Sequence, residues 1–190
     1  MGIRFAVPAD SAALLRIYAQ YIDTPITFEY VLPSEAEFAA RVADISRNYP
    51  YLICEEAGQI LGYAYAHRQA ERAAYQWNAE LSVYLDRTCT AQGLGGRLYT
   101  TLIELLKLQK IRTVYGCVTM ANEPCRKLHQ KLGFELLGVY HKTGYKLGQW
   151  WDVGWYEKSI APYDGDPEPP RSIREVPPEQ IARILRSWEH

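Results

Sequence analysis

The alternation of apolar and polar side chains over residues 77–85 predicts a β-strand with one apolar face. Every second position is apolar, at Trp77, Ala79, Leu81, Val83 and Leu85. A period of two is that of a strand, because successive side chains point to opposite faces. After a short polar segment come the glycine-rich residues 93–96, and leucines then recur at helical spacing, at positions 98, 102, 105 and 106. The predicted order is therefore strand, glycine turn and helix.

The glycine turn is a candidate phosphate-binding site. Gly93 and Gly95 carry no Cβ, so a ligand can approach the backbone N–H groups at the positive end of the helix dipole. Tight packing alone explains such a turn equally well. The stretch has no Gly-Lys-Ser/Thr and does not have the Gly-x-Gly-x-x-Gly spacing, so it is neither a Walker loop nor a dinucleotide fingerprint. The pyrophosphate of coenzyme A remains as the ligand to test against the rest of the chain.

Periodic segments elsewhere predict the element order β-α-α-β-β-β-α-β-α-β-β over residues 1–160. Asp10 is placed to cap the first helix, Ser34 and Glu37 form a capping box for the second, which runs to about residue 47, and Asn122 precedes the last, over 123–132. We expect an α+β domain with a mixed, mostly antiparallel sheet and helices on both faces. The predicted strands cover residues 3–7, 51–56, 59–68, 77–85, 113–119, 134–142 and 150–159.

Residues 161–190 differ from the domain in composition, because they are rich in proline and charge, as a linker or arm is. Within them Gln180–Trp188 has the spacing of a short amphipathic helix. Its apolar side would dock on the domain or on a second subunit; the alternative is a frayed tail.

Composition narrows the function class. The 190 residues carry a net charge of −1, which gives no basic surface for nucleic acid. No apolar run approaches the roughly 20 residues of a membrane span, and the first ten residues do not resemble a secretory signal. The four cysteines are scattered, so we expect neither a disulfide framework nor a metal site, and a reducing cytoplasmic compartment. The 15 tyrosines and 5 tryptophans would line a cleft, or pack in the core or between subunits.

The element order and the glycine turn resemble the GNAT superfamily of acetyl-CoA-dependent N-acetyltransferases over residues 2–160. Its loop pattern, Gln/Arg-x-x-Gly-x-Gly/Ala, is met at residues 90–95, where Thr90 replaces the first polar residue. The resemblance implies that acetyl-CoA is the co-substrate. Its pyrophosphate would lie on the N–H groups of Gln92, Gly93, Leu94, Gly95, Gly96 and Arg97. Its pantetheine arm would lie along Val83, Tyr84 and Leu85, while Asn122 would serve the cofactor, cap its helix, or do both.

A closer resemblance is to the phosphinothricin acetyltransferase group. It rests on the stretches RNYPYL at 47–52, GYAYA at 62–66, AYQWNAE at 74–80, and NEPCRKLH at 122–129, with GYK and WWDVGW further on. This likeness implies a homodimer, with the C-terminal strands and tail near the interface. It also implies a small amino acid analogue as the acetyl acceptor.

Glu80 and His129 are the candidate catalytic residues. A primary amine is mostly protonated at neutral pH, so its attack on a thioester needs a base. Glu80 lies on the polar face of the predicted central strand, where a carboxylate is costly unless it is paired or functional. From the residues alone it is equally an ion-paired glutamate, and His129 a satisfied core histidine. The resemblance implies Glu80 as general base and His129 as a base or positioning partner.

The acceptor site is implied by the same resemblance, through Phe28, Arg72 and Tyr75. An arginine at position 72 would pair bidentately with a carboxylate or phosphinate. Ala70, Leu147 and Trp151 depart from the group, which carries basic residues or histidines there. Methionine sulfoximine, methionine sulfone or another amino acid amine is thus as good a candidate as phosphinothricin. A protein N-terminus, a polyamine, and a non-catalytic acyl-CoA sensor remain alternatives.

Overall fold

The computed structural model describes residues 1–187 and has a seven-stranded sheet in the order β1-β2-β3-β4-β5-β7-β6. Every neighbouring pair is antiparallel except β4 and β5. The predicted α+β class and element order are confirmed. The elements are β1 (Gly2–Phe5), α1 (Ser11–Ala19), α2 (Glu35–Ile45), β2 (Tyr51–Glu56), β3 (Gln59–Arg68), β4 (Asn78–Leu85), α3 (Leu94–Leu108), β5 (Thr113–Thr119), α4 (Glu123–Lys131), β6 (Glu135–Lys146), β7 (Gln149–Ser159) and α5 (Pro178–Arg186).

Helices cover both faces of the sheet, as predicted, and each face has its own core. On the face of α1 and α2, Tyr18 and Phe38 pack on tyrosines of the sheet, Tyr63 and Tyr84 among them. On the other face, α3 buries its leucine stripe, and Leu128 of α4 packs against the same cluster. Much of the aromatic content therefore fills a core. No helix within residues 1–187 is long and apolar enough to cross a membrane.

The parallel strands β4 and β5 pair over a short distance only. Three residue pairs join them, Asn78 with Thr113, Ala79 with Val114, and Glu80 with Tyr115. Beyond that point β4 continues beside β3, and β5 continues beside β7. Residues 81–85 of β4 and 116–119 of β5 thus border an opening in the sheet, which we call the β4–β5 gap. Because α3 follows β4 and α4 follows β5, the N-termini of both helices lie at its open end.

The tail docks on its own domain, so the frayed alternative is not what the structure has. The indole Nε1 of Trp77 donates to the Glu168 carbonyl at 2.9 Å, and the Ile173 N–H donates to the Asn48 carbonyl at 3.0 Å. The amide of Gln109 holds residue 171 to the same region. The helix, α5, begins two residues earlier than predicted and packs its apolar side beside α3. Trp188 lies outside the described residues.

Two local predictions fared differently. The capping box is confirmed, because Ser34 Oγ accepts from the Glu37 N–H at 3.2 Å and the Glu37 carboxylate accepts from the Ser34 N–H at 2.8 Å. The capping role of Asp10 is wrong, since its carboxylate makes no cap bond to α1. It accepts instead from Arg4 and from the Val7 N–H, both at 2.8 Å. The hydrogen bond from Arg4 lowers the pKa of Asp10.

Candidate active site

The gap-facing edge of β4 presents backbone groups that the sheet does not use. The Asp86 N–H donates to the Leu61 carbonyl of β3. The backbone N–H and C=O groups of even-numbered residues in β4 therefore point to β3, and those of odd-numbered residues point to the gap. The Leu81 and Leu85 carbonyls accept from the hydroxyls of Tyr99 and Tyr21, at 3.2 and 2.6 Å. Between them, no side chain within residues 1–187 bonds the backbone of Val83. This edge is suited to an amide-bearing ligand that pairs with a strand.

The glycine turn places a helix N-terminus at the open end of the gap. Gly93 has a φ of +80°, a left-handed conformation that favours glycine, and no side chain among residues 1–187 caps α3. A Cβ on Gly95 would lie 3.3 Å from Leu128 Cδ2, so this glycine also lets α3 pack closely on α4. The first N–H groups of α3, at residues 94–96, have no acceptor inside the helix. The packing interpretation of the turn is thus confirmed, and the binding of a pyrophosphate, which these N–H groups would allow, stays a prediction.

Asn122 lies at the matching position on the other side of the gap, at the start of α4. Its Oδ1 accepts from the Cys125 N–H at 3.3 Å, which confirms the cap. Its contact with the cofactor stays a prediction.

Glu80 lies at the apex of the gap, as the last residue of β4 that pairs with β5. Its side chain is 18% exposed, and no hydrogen-bond donor within residues 1–187 contacts the carboxylate. Burial raises the pKa of Glu80, an effect that nearby His67 partly offsets. On β5, burial and then the charge of Glu80 raise the pKa of Cys117 to about 11. A half-buried carboxylate of raised pKa in a cleft is the form that a general base takes.

His129 approaches the same strands from the opposite face. Tyr115 pairs with Glu80, so the side chains of these two residues lie on the same face of the sheet. The next residue, Gly116, therefore faces the opposite side of the sheet. His129 packs against Gly116, where a Cβ would lie 2.1 Å from its Nε2. The structure therefore does not bring the side chains of Glu80 and His129 together on one face.

The surroundings of His129 are those of a core residue. It is 1% exposed and contacts the rings of Tyr99, Phe134 and Tyr156. Its Nδ1 lies 2.9 Å from the Cys125 carbonyl and therefore carries the proton, while Nε2 has no partner within residues 1–187. Burial lowers the pKa of His129. The role implied by the resemblance stays a prediction, and this geometry suits positioning better than proton transfer.

Phe28 lies in the loop between α1 and α2, which covers the Glu80 face of the gap. The loop is fastened by Thr119 Oγ1, which donates to the Pro25 carbonyl at 2.6 Å, and by the Lys146 ammonium, which donates to two of its carbonyls at 2.6 Å. Thr119 shares a face with Tyr115, and hence with Glu80. The ring of Phe28 fills the space that a Cβ on Gly144 would take, at 2.2 Å.

Arg72 and Tyr75 lie elsewhere, on the connection between β3 and β4, before the N-terminal end of β4. Both are exposed, and within residues 1–187 no hydrogen bond, ion pair or ring contact joins them to Phe28. The three predicted acceptor residues therefore do not form one contact cluster, and their role stays a prediction.

His67 was not among the residues predicted from the sequence. Its charge acts on Glu80 and partly offsets the rise in the pKa of that carboxyl that burial causes. It is the direct cross-strand partner of Glu80, with 3.9 Å between His67 Nε2 and Glu80 Oε1. The alternation of β3 predicts which of its residues share a face, but the register against β4 is not visible in the sequence.

The chain matches known acetyltransferases over most of its length. The profile of the acetyltransferase (GNAT) domain matches residues 3–155. A phosphinothricin N-acetyltransferase of Streptomyces viridochromogenes is 34% identical, over 92% of this chain and 93% of the relative. An L-methionine sulfoximine/L-methionine sulfone acetyltransferase of Pseudomonas paraeruginosa is 29% identical, over 85% and 95%. The crystal structure of a phosphinothricin acetyltransferase from Sinorhizobium meliloti in complex with acetyl-CoA has a TM-score of 0.84 and 32% identity, over 93% and 95%.

This protein belongs to the GNAT acetyltransferase family, as the matched profile and the relatives show. It is an acetyl-CoA-dependent N-acetyltransferase, and the resemblance to the phosphinothricin acetyltransferase group is confirmed. The roles of the glycine turn and of Glu80 in this reaction stay predictions.

Proposed function

We propose that this protein transfers the acetyl group of acetyl-CoA to the primary amine of a small amino acid or amino acid analogue, with Glu80 as the general base. The carrying observation is the position of Glu80, a half-buried carboxylate at the apex of the β4–β5 gap that no donor of the described residues contacts. The names of the relatives support the acceptor class, since they act on phosphinothricin and on methionine sulfoximine or sulfone.

The co-substrate would be held by backbone groups. The N–H groups of residues 94–96 would bind the pyrophosphate, and the backbone of Val83 would pair with the pantetheine arm. Bound acetyl-CoA supplies an activated thioester carbonyl. The gap-facing N–H groups of β4 are donors for the negative charge that develops on that oxygen during attack.

Glu80 would prepare the acceptor. The ammonium form of an amino acid does not attack a carbonyl, because its nitrogen has no lone pair. Burial raises the pKa of Glu80, which brings its proton affinity closer to that of the amine. The loop that carries Phe28 covers this face and would exclude water from the acceptor.

The side chain of the acceptor is proposed to be weakly charged. Leu147 and Trp151 stand where the phosphinothricin group carries histidines, and the indole N–H of Trp151 already donates to the Lys146 carbonyl at 2.9 Å. This leaves fewer polar groups for a phosphinate. Methionine sulfone and methionine sulfoximine are therefore the first acceptors to test.

An acceptor screen that follows release of the CoA thiol tests the proposal. We expect the highest kcat/KM among phosphinothricin, methionine sulfoximine, methionine sulfone and free amino acids. Turnover confined to polyamines or to peptide N-termini would refute the acceptor class. Tight acetyl-CoA binding without turnover of any amine would indicate a non-catalytic sensor.

A homodimer is part of the proposal. β6 is an edge strand, and the hairpin of β6 and β7 exposes large apolar side chains, with Tyr140 60% and Trp150 58% exposed. An unpaired edge with exposed aromatic residues is typical of a subunit interface. Light scattering at micromolar concentration should give twice the chain mass of 21.8 kDa, and a monomer mass would contradict the dimer.

A cytoplasmic location is also proposed. All four cysteines are free, as expected in a reducing compartment. Fractionation of the source cells, with a cytoplasmic marker enzyme as control, tests it.

A further inference from the structure

His67 and Glu80 face each other across β3 and β4. They are directly opposed in the antiparallel register, so their side chains share one face. The 3.9 Å between His67 Nε2 and Glu80 Oε1 is an ion-pair distance rather than a hydrogen bond. A shortening of roughly 1 Å, within the reach of rotamer adjustment, would bring the two atoms to hydrogen-bond distance.

The tautomer of His67 follows from its other nitrogen. Its Nδ1 lies 2.9 Å from the Arg68 carbonyl oxygen. A carbonyl only accepts, so Nδ1 carries a proton. The nitrogen that faces Glu80 is therefore a bare lone pair until His67 becomes an imidazolium. A carboxylate and a lone pair that face each other hold a proton between them well and repel each other without one.

His67 also lines a polar cavity. The cavity has a volume of about 480 Å³ and lies between the end of α2, the end of β3 and the docked tail. Besides His67, its lining includes Asp44, Arg68, Glu71, Gln109 and Arg171. The His67 side chain is 35% exposed, whereas that of Glu80 is 18% exposed. His67 thus stands between the half-buried base and solvent.

We propose that His67 is the proton exit of the active site: its Nε2 takes from Glu80 the proton that Glu80 accepts from the amine, and then gives that proton to water in this cavity, while Nδ1 keeps the proton that it donates to the Arg68 carbonyl. The inference rests on the proposed function. His67 acts through Glu80 and does not contact the substrate, so it is a positioning and relay residue.

The proton balance of the reaction requires an exit. An acceptor that arrives as an ammonium has three N–H bonds, and the amide product keeps one of them. The C–N bond forms as the C–S bond breaks, and one of the two protons that are lost goes to the departing sulfur. The other leaves the site, with no change of oxidation state. Glu80 cannot begin a new turnover until that proton has gone.

The charges around the pair define the expected pH effect. Glu80 faces His67 from β4, Tyr65 lies beside His67 on β3, and Cys117 faces Glu80 from β5. Across the cavity stand Asp44 from α2, Arg171 from the tail, and Arg68, which pairs with Glu71 at 3.8 Å. A positive His67 lowers the pKa of Glu80, which burial raises. Without His67 the pKa of Glu80 rises further, so activity is lost at a higher pH as the pH falls.

The test compares His67→Gln with His141→Gln, a matched change at an exposed histidine that pairs with Asp152 at 3.0 Å. Glutamine keeps a polar side chain of similar size but does not titrate. For His67→Gln we expect kcat to fall by about 10- to 100-fold, less than the loss of the base itself, and its acid limb to move to higher pH. The acetyl-CoA affinity should not change, and His141→Gln should behave as wild type.

Two further measurements separate relay from structure. In a Glu80→Gln background, His67→Gln should cost nothing more, because the relay then has no proton to carry. Free imidazole should restore the kcat of His67→Ala in a saturable way. Additive losses in the double variant, an unmoved acid limb, or a lack of rescue would each overturn the relay.

The relay and the proposed function fail in different ways. If Glu80→Gln turns over at the wild-type rate, the assignment of the base is wrong. If Glu80→Gln is slow while His67→Gln keeps the wild-type rate and pH profile, the base stands and only the relay is wrong.

Discussion

Glu80 and His129 lie on opposite faces of the sheet at the β4–β5 gap, and their surroundings treat the two titratable groups in different ways. Within the described part of the chain, no hydrogen-bond donor contacts the Glu80 carboxylate, which retains partial exposure. His129 has its Nδ1–H bonded to a carbonyl and is enclosed by aromatic rings. Burial raises the pKa of the first and lowers that of the second, which favours the neutral form of both.

The difference lies in what a change of protonation would disturb. Glu80 can accept a proton without repacking, because solvent and His67 are beside it. A proton on His129 Nε2 would be buried against Gly116 without a partner. Similar burial therefore supports proton transfer on one face and rigid positioning on the other.

Glu80→Gln is the change that should have the largest effect. It keeps the shape of the side chain and removes its basicity, so kcat at saturating acceptor should fall by about 10²- to 10⁴-fold. The acetyl-CoA affinity should stay as in wild type, because the proposed cofactor contacts are backbone groups of β4 and α3. Glu104→Gln, a surface change on α3, is the control for steady-state kinetics. A wild-type rate for Glu80→Gln would remove the contrast between the faces.

Substitution of the glycine cradle sharpens the comparison by removing the cofactor and leaving both groups in place. Gly93→Val with Gly95→Val should weaken acetyl-CoA binding by at least about 100-fold, since Cβ atoms would block the approach to the helix N-terminus. A valine at position 93 would also be strained by the φ of +80° there, so Gly165→Val, at a φ of +64° in the tail, controls for backbone cost. Isothermal titration on folded variants is the measurement, and unchanged affinity would rule out this site.

The sequence was sufficient for the strand, glycine turn and helix, because each is encoded by local periodicity and by glycine. It was not sufficient for the relation between Glu80 and His129. The stripe with Cys125 and Leu128 indicates that His129 points inward, but not against which face of the sheet. That depends on where the pairing of β4 with β5 stops, which long-range packing decides.

Two other differences have the same origin. Asp10 has the local chemistry of a helix cap, but Arg4 on β1 offers its carboxylate a stronger, charge-assisted partner. His67 has no motif around it, and only the register of β3 against β4 places it opposite Glu80. Side-chain contacts between different elements, even six residues apart as for Arg4 and Asp10, cannot be predicted from periodicity.

His129→Ala tests the other face and should affect stability more than chemistry. It removes a ring that contacts three aromatic side chains, so the free energy of unfolding should fall by about 2–4 kcal/mol. The kcat of the folded variant should fall less than that of Glu80→Gln. Gly116→Ala, whose Cβ would meet the imidazole, should destabilise the same contact without removing the histidine. A loss of kcat as large as that of Glu80→Gln would make His129 part of the chemistry.

The pH dependence of stability should show the smallest effect, and the effects of Glu80 and His129 should have opposite signs. The folded-state pKa of His129 is lowered, so as the pH falls below about 6.5 this histidine binds a proton in the unfolded chain first. The free energy of unfolding therefore decreases as the pH falls through that range. The pKa of Glu80 is raised, so its contribution to stability grows as the pH falls towards the usual range of a glutamate. Each slope is at most about 1.4 kcal/mol per pH unit. Urea unfolding from pH 7.5 to 4.5 should show both effects relative to wild type. The free energy of unfolding should depend less on pH for His129→Ala between pH 6.5 and 5.5, and it should rise less at lower pH for Glu80→Gln. Unchanged curves for both variants would mean that burial does not shift the pKa values of the two groups.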